Sequence, residues 1–252
     1  MKTTGIKFSM VFIFFFLIGI SNLHSETISK ELPHFKKIIA GPYINIKLVY
    51  GEAEKMDIKV HNIDPEKINI EVQHGTLRIY LDEAKCWPKN ERYKGDNKVY
   101  EMYRGVEVYV TITFRELKAL KVMGEEIVNC TSAIKGEEFR LNTIGETRVF
   151  MESIVVESLK IRSIGENEVS ILSGRTENSR IRLIGENRIN MESVFTGNTR
   201  CLAIGENELD CNSEYEFRVF TIGESVITQY GEARFRKMGI GENNYSYAWK
   251  GF

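Results

Sequence analysis

The sequence predicts an all-β protein, a right-handed single-stranded β-helix (β-solenoid) whose coils are about 18–21 residues long. Three observations predict it: a glycine that returns at a nearly fixed interval, a two-residue alternation of apolar positions on either side of it, and the lack of any sustained helical stripe. The glycines fall at 124, 145, 165, 185, 205, 223 and 241 in VMGEEIV, TIGETRV, SIGENEV, LIGENRI, AIGENEL, TIGESVI and GIGENNY, at intervals of 21, 20, 20, 20, 18 and 18 residues. A period in this range means a solenoid, in which each unit buries its apolar face only by stacking on its neighbours. Right-handedness follows from the chirality of strand crossovers.

The elements follow in chain order. Residues 1–25 hold Lys2 and Lys7, the apolar run MVFIFFFLIGI and a short polar stretch, which is the order of a secretory signal cut after Ser25. The apolar run is shorter than the roughly 20 residues that span a bilayer, and no later segment approaches that length, so no membrane span is expected after its removal. Residues 26–116 form an N-terminal β section with strand-like runs KKIIA, YINIKLVY, MDIKV, INIEV, TLRIYL and VEVYVTIT between Gly-Pro, Asp-Pro and His-Gly turns. The polar and aromatic stretch 86–105 reads as a long excursion loop.

Residues 117–252 form the repeat coils. Six, four and two residues before the glycine stand apolar or small side chains, as in Phe139, Leu141 and Thr143 or Ser179, Ile181 and Leu183. Four and six residues after it the alternation resumes, as in Val169 and Ile171. Each coil is therefore strand, glycine corner, strand and return. The corner residues assigned a structural role are Gly145, Gly165, Asn167, Gly185, Asn187, Gly205, Asn207, Gly223, Gly241 and Asn243. Glycine reaches positive φ without penalty, and Asn tolerates it best among the others. Stacked Asn167, Asn187 and Asn207 can also bond amide to amide up the stack. Glu126, Thr147 and Ser225 occupy the Asn position in other coils and are the expected weak points.

Two charge rows accompany the corners. Five residues before six of the seven glycines lies an outward cation: Arg140, Lys160, Arg180, Arg200, Arg218 and Arg236. One residue after every glycine lies a carboxylate, from Glu125 to Glu242. In-register stacking puts like charges about 4.8 Å apart, at a cost of roughly 0.9 kcal/mol per neighbouring pair even at a water-like dielectric. Alternating signs three residues after the glycine, at Arg148, Glu168, Arg188 and Glu208, predict vertical ion pairs that help fix the register. The cation row is the candidate binding strip for an acidic polymer; its plain reading is a solvated face that opposes aggregation. The carboxylate row offers oxygen ligands of the kind Ca²⁺ takes, but nothing in its spacing specifies a metal site.

Composition narrows the function classes. With 34 basic and 35 acidic residues the net charge is −1, so no global field draws in nucleic acid. Four cysteines and four histidines show neither disulfide density nor zinc spacing, and no cofactor is implied. The layout keeps Cys130, Cys201 and Cys211 too far apart to bridge, so free buried thiols are expected there. No Gly-x-Ser-x-Gly elbow, phosphate loop or paired-His motif occurs.

The runs AGPYINIKLVYGEAEKMDIKV, INIEVQHGTLRIYL and VEVYVTITFRELKALKVMGE, followed by the glycine repeats, resemble the bacterial head-GIN domain family of exported β-helical proteins, labelled autotransporter adhesins. The resemblance covers roughly residues 35–245. Gly165-Glu166-Asn167-Glu168-Val169 occupies the frame in which the family has Gly, a small residue, Gly, Asn or Asp, and Val or Ile, with Glu at the small position and Asn at the second glycine. The resemblance implies a shape similar to pectin-lyase-like folds and no catalytic constellation. The reading is then a non-enzymatic exported binding or adhesion module of the cell envelope, in the periplasm or at the surface, offering flat repetitive faces to an acidic polysaccharide or a surface protein. The alternatives are a polysaccharide-degrading enzyme on the same scaffold and a ligand-free envelope structural protein.

Overall fold

In a computed structural model, residues 27–84, 103 and 105–248 are described. The signal segment and nearly all of the 86–105 loop lie outside the described residues. The fold is a β-solenoid of about six turns with no α-helix among the described residues.

The N-terminal strands are β1 (Thr27–Glu31), β2 (Lys37–Ala40), β3 (Ile44–Tyr50), β4 (Lys55–His61), β5 (Ile68–Gln73), β6 (Thr76–Leu81) and β7 (Glu107–Phe114). Between β4 and β5 a single 3₁₀ turn, Pro65–Lys67, starts with proline after an Asp64 side chain that accepts the Glu66 N–H, which is the cap chemistry that turn needs. The coils follow as β8 (Ala119–Gly124), β9 (Ile127–Cys130), β10 (Ile134–Gly145), β11 (Arg148–Met151), β12 (Ile154–Ile171), β13 (Gly174–Gln229), β14 (Arg234–Ile240) and β15 (Asn243–Tyr247).

Stacking between coils is parallel and in register glycine to glycine. Gly145 pairs with Gly124, Gly165 with Gly145 and Gly185 with Gly165. The N-terminal section joins the same stack, because β2 lies parallel to β8 and β3 parallel to β9. At that end antiparallel pairing takes over, β4 on β7, β1 on β4 and β5 on β6. The return segments are also paired strands, with Ile134 opposite Ile154 and Ile154 opposite Gly174, so β12 and β13 run through their corners without interruption.

The core is the inside of the tube. The rows before the corner (Phe139, Leu141, Leu159, Ile161, Ile181, Leu183, Phe217, Val219) and after it (Val149, Met151, Val169, Ile171, Ile189, Met191, Leu209) are all buried. Each such side chain contributes roughly 1.5–3 kcal/mol by leaving water, which is what drives each coil onto the next. Cys130, Cys201 and Cys211 sit in these rows as free, buried thiols.

The corner glycines have φ between 103° and 118°. A Cβ on Gly185 would sit 2.5 Å from the carbonyl oxygen of Gly165 below it, with no flexible atom to give way. Glycine is therefore required twice over, by its backbone conformation and by the close approach of successive turns. The corner asparagines differ from expectation here. Neither Asn167, Asn187, Asn207 nor Asn243 has positive φ, because the glycine absorbs the whole bend. Asn serves instead through its amide, two residues past the glycine on the inward side.

Candidate functional site

The outward face of the strand before each corner carries the six cations: Arg140 on β10, Lys160 on β12, Arg180, Arg200 and Arg218 on β13, and Arg236 on β14. Arg140 is in register with Lys160, Lys160 with Arg180, and Arg218 with Arg236, so like charges do stack. Arg162 and Arg182, register neighbours two residues further along, add to the same face.

What offsets the repulsion is a set of carboxylates two residues before the cation. Glu138 takes Arg140 at 2.6 Å and also Lys160 of the next coil. Glu216 takes Arg218 at 2.7 Å and Arg236 at 3.0 Å. Glu116 joins Lys36 at 2.5 Å to Lys118 at 3.3 Å in the first coil. Each acts as a staple across two coils. Each is accordingly held below the ordinary carboxylate range, Glu138 first by the hydrogen bond from Lys160, Glu216 first by that from Arg218, and Glu116 first by that from Lys36. Sequence reading missed these residues because they do not recur: the same position holds Ser158, Asn178 and Asn198 in the intervening coils. Reading down the column seven residues before each glycine would have found Glu138 and Glu216.

Between the Glu138 and Glu216 staples, Arg180 and Arg200 have no carboxylate at ion-pair distance among the described residues. A recess of about 610 Å³ opens there, between Lys160 and Glu216.

On the other side of the corner the Glu row lines a groove of about 1100 Å³ from Glu125 to Glu242. Its carboxylates are spread one per coil, and among the described residues no three His, Cys, Asp or Glu converge as metal ligands would. Arg188 pairs with Glu208 at 2.7 Å. Arg148 faces Glu168 in register without an ion pair between them, so the predicted column of vertical pairs closes at one step among the described residues. At exposed sites the entropy of fixing two long side chains is comparable with the Coulomb gain.

Beneath the groove runs a polar column inside the tube. Asn167 donates its amide to Asn187 at 3.1 Å and Asn187 donates to Asn207 at 3.0 Å. Thr147 joins by donating both backbone N–H and hydroxyl to Asn167, and the Ser163 hydroxyl donates to Asn187. The column ends badly at both ends. Asn207 Nδ2, Ser225 Oγ and Asn243 Oδ1 lack partners, and at the other end Glu126 accepts the Tyr43 N–H on Oε1 while Oε2 is bare. Burial, the largest cause, pushes the Glu126 carboxyl up to about 8.

A solenoid with stacked glycine corners, antiparallel strands at one end and charged outer rows defines a class of β-helical repeat proteins. A sequence model described as putative auto-transporter adhesin, head GIN domain, matches residues 34–233, and the chain belongs to that family. Among solved structures, the fold is similar to that of a putative adhesin from Bacteroides fragilis (16% identity, TM-score 0.70, 88% of this chain and 96% of that one). It is also similar to a putative adhesin from Parabacteroides merdae (16%, TM-score 0.60, 88% and 95%). A third similar structure is a putative lipid binding protein from Parabacteroides distasonis (14%, TM-score 0.62, 88% and 96%). No curated protein matches the sequence.

Proposed function

We propose that the chain is a non-enzymatic exported binding module of the adhesin type, in the periplasm or at the cell surface, whose cation row docks an acidic polymer. The observation that carries this reading is the row of Arg140, Lys160, Arg180, Arg200, Arg218 and Arg236, one per coil on an outward face, with no carboxylate at ion-pair distance from Arg180 or Arg200 among the described residues. Glu138 and Glu216 tie up Arg140, Lys160, Arg218 and Arg236, so the positive charge left to meet an anion lies at Arg180 and Arg200 in the middle of the row, and a polymer held there gains avidity from the cations on either side. The adhesin names borne by the family and by proteins of similar fold agree with it. A glycosidase needs a pair of carboxylates astride its substrate; Glu216, the one carboxylate lining the recess, is tied to two arginines.

The test is retention of the purified protein on immobilised polygalacturonate across a salt gradient. The variant with Arg180→Glu, Arg200→Glu and Arg218→Glu is expected to flow through where the wild type is held. Equal retention of both removes the docking role of the row. Release of unsaturated or reducing ends from the polymer would assign the chain to the enzymes instead.

A further inference from the structure

The tube is left open at its C-terminal end. Strands β14 and β15 pair only with β13 among the described residues, so their far edges carry unpaired N–H and C=O groups, a template for a further strand. The interior is exposed there too: Phe217, Ile227 and Gln229 are buried, whereas Phe235 and Tyr245, in register with the first two, are half-buried and Tyr247 is 61% exposed. At this coil two inward positions change character. Four residues before the glycine every earlier coil holds a buried apolar side chain or thiol (Leu120, Leu141, Ile161, Ile181, Cys201, Val219), and here it holds Lys237. Two residues before it, Gly239 stands over buried Thr221. Lys237 is in register with Val219, and its Nζ lies 5.2 Å from the centre of the Tyr245 ring and 6.0 Å from that of Phe235, so the ammonium sits over the mouth of the tube.

Apart from that ammonium, the end fits a second copy of itself. Lys237 is the middle residue of β14, so two ends meeting about a two-fold axis pair β14 with its own copy antiparallel, with Phe235 opposite Gly239, Arg236 opposite Met238 and Arg234 opposite Ile240. On the inward side the largest ring meets the residue without a side chain, and on the outward side each arginine meets an apolar side chain instead of another cation. Only the centre fails. There Lys237 faces Lys237 of the other copy at a Cα separation of about 4.5–5.5 Å, and both ammonium groups are shut between two tube interiors whose last two coils hold no inward carboxylate. Burying unpaired charge is among the costliest steps a contact can take, and an inward-pointing charge is one of the devices that keep sheet edges apart. We infer that the C-terminal end is a self-association surface that Lys237 holds shut, so that each solenoid stays a discrete body instead of joining another end to end. The inference is independent of the docking role of the cation row.

The test is analytical ultracentrifugation of the mature chain beside three variants, over a range of protein concentrations. Lys237→Val restores the residue of the coil below, and Lys237→Met keeps the length of the side chain and removes only its charge. Both are expected to reach twice the mass of the wild type, with a self-association constant raised at least a hundredfold. Lys237→Arg keeps the charge and is expected to sediment as the wild type does. Wild-type mass in either neutral variant overturns the inference, because the charge is then not what keeps the ends apart. A doubled mass in Lys237→Arg overturns it for the same reason. An open series of larger species in the neutral variants also overturns it, since two identical ends that meet about a two-fold axis close at the dimer.

Discussion

At the scale of single residues, the interior polar column decides more than the charged surface does. Glu126 is a carboxyl where the later coils place Asn, and its burial keeps it protonated until about pH 8, against an ordinary value of 4.5. Below about pH 4.5 both folded and unfolded chains hold the proton and there is no cost. Between there and about pH 8 the unfolded chain ionises while the folded one does not, so stability falls as pH rises, by at most about 1.4 kcal/mol per pH unit. Glu126→Gln keeps an acceptor for the Tyr43 N–H and removes the titration. The difference between the melting temperatures of variant and wild type should therefore widen in favour of the variant from about pH 5 to 8; parallel curves would show that Glu126 is solvated. The opposite end of the column offers the complementary change. Ser225 is too short to meet Asn207, which leaves Nδ2 bare. Ser225→Asn extends the ladder by a bond worth about 0.5–1.5 kcal/mol, and a melting temperature raised by a few degrees is the expected reading. Asn187→Ala should lower it by more, since it strands Asn167, Asn207 and Ser163 together.

At the scale of the element, the coil is held by its corner and by its register. Placing a methyl at Gly185 forces the turn away from the Gly165 carbonyl and strains a backbone at φ 105°. Gly185→Ala is expected to cost about 3 kcal/mol or more, read as a shift in the denaturation midpoint with little change in slope. Much of this was legible in the sequence, because a corner that recurs announces itself by period and alternation, and all six N-terminal runs from KKIIA to VEVYVTIT form strands. What stayed hidden was whatever does not recur. The stapling residues Glu116, Glu138 and Glu216 are too few to make a row, the inward placement of the Asn side chains depends on which residue takes the bend, and the recess opens where Ser158, Asn178 and Asn198 stand in place of a stapling carboxylate. Return strands were hidden for another reason: Gly136, Gly174 and Glu157 do not spell a strand, and only the pairing of Ile134 with Ile154 and of Ile154 with Gly174 makes them one.

At the scale of the whole molecule, stacking makes the protein nearly one-dimensional, since each coil touches only the coils beside it. The two ends are unlike. The N-terminal end closes with antiparallel β1, β4 and β7, while at the other end β14 and β15 pair only with β13 among the described residues. A coil from the middle should therefore be removable as a unit. Deleting residues 146–165 takes out 20 residues, one full interval, and sets Gly145 where Gly165 stood, directly beneath Gly185. Every inward row then loses one member without changing face, and Thr143 in place of Ser163 keeps a hydroxyl beneath Asn187. The shortened chain is expected to fold with an unchanged β spectrum and a denaturant slope smaller by about the share of surface one coil buries. Deleting residues 146–155, half an interval, keeps Leu159 and Ile161 on inward positions but sets Glu157 in the buried place of Thr147 and leaves Gly165 out of step with the glycine stack; aggregation or an unfolded spectrum is expected. Equal behaviour of the two deletions would mean that the coils are not independent stacking units, and a half-interval deletion that folds would contradict the glycine register itself.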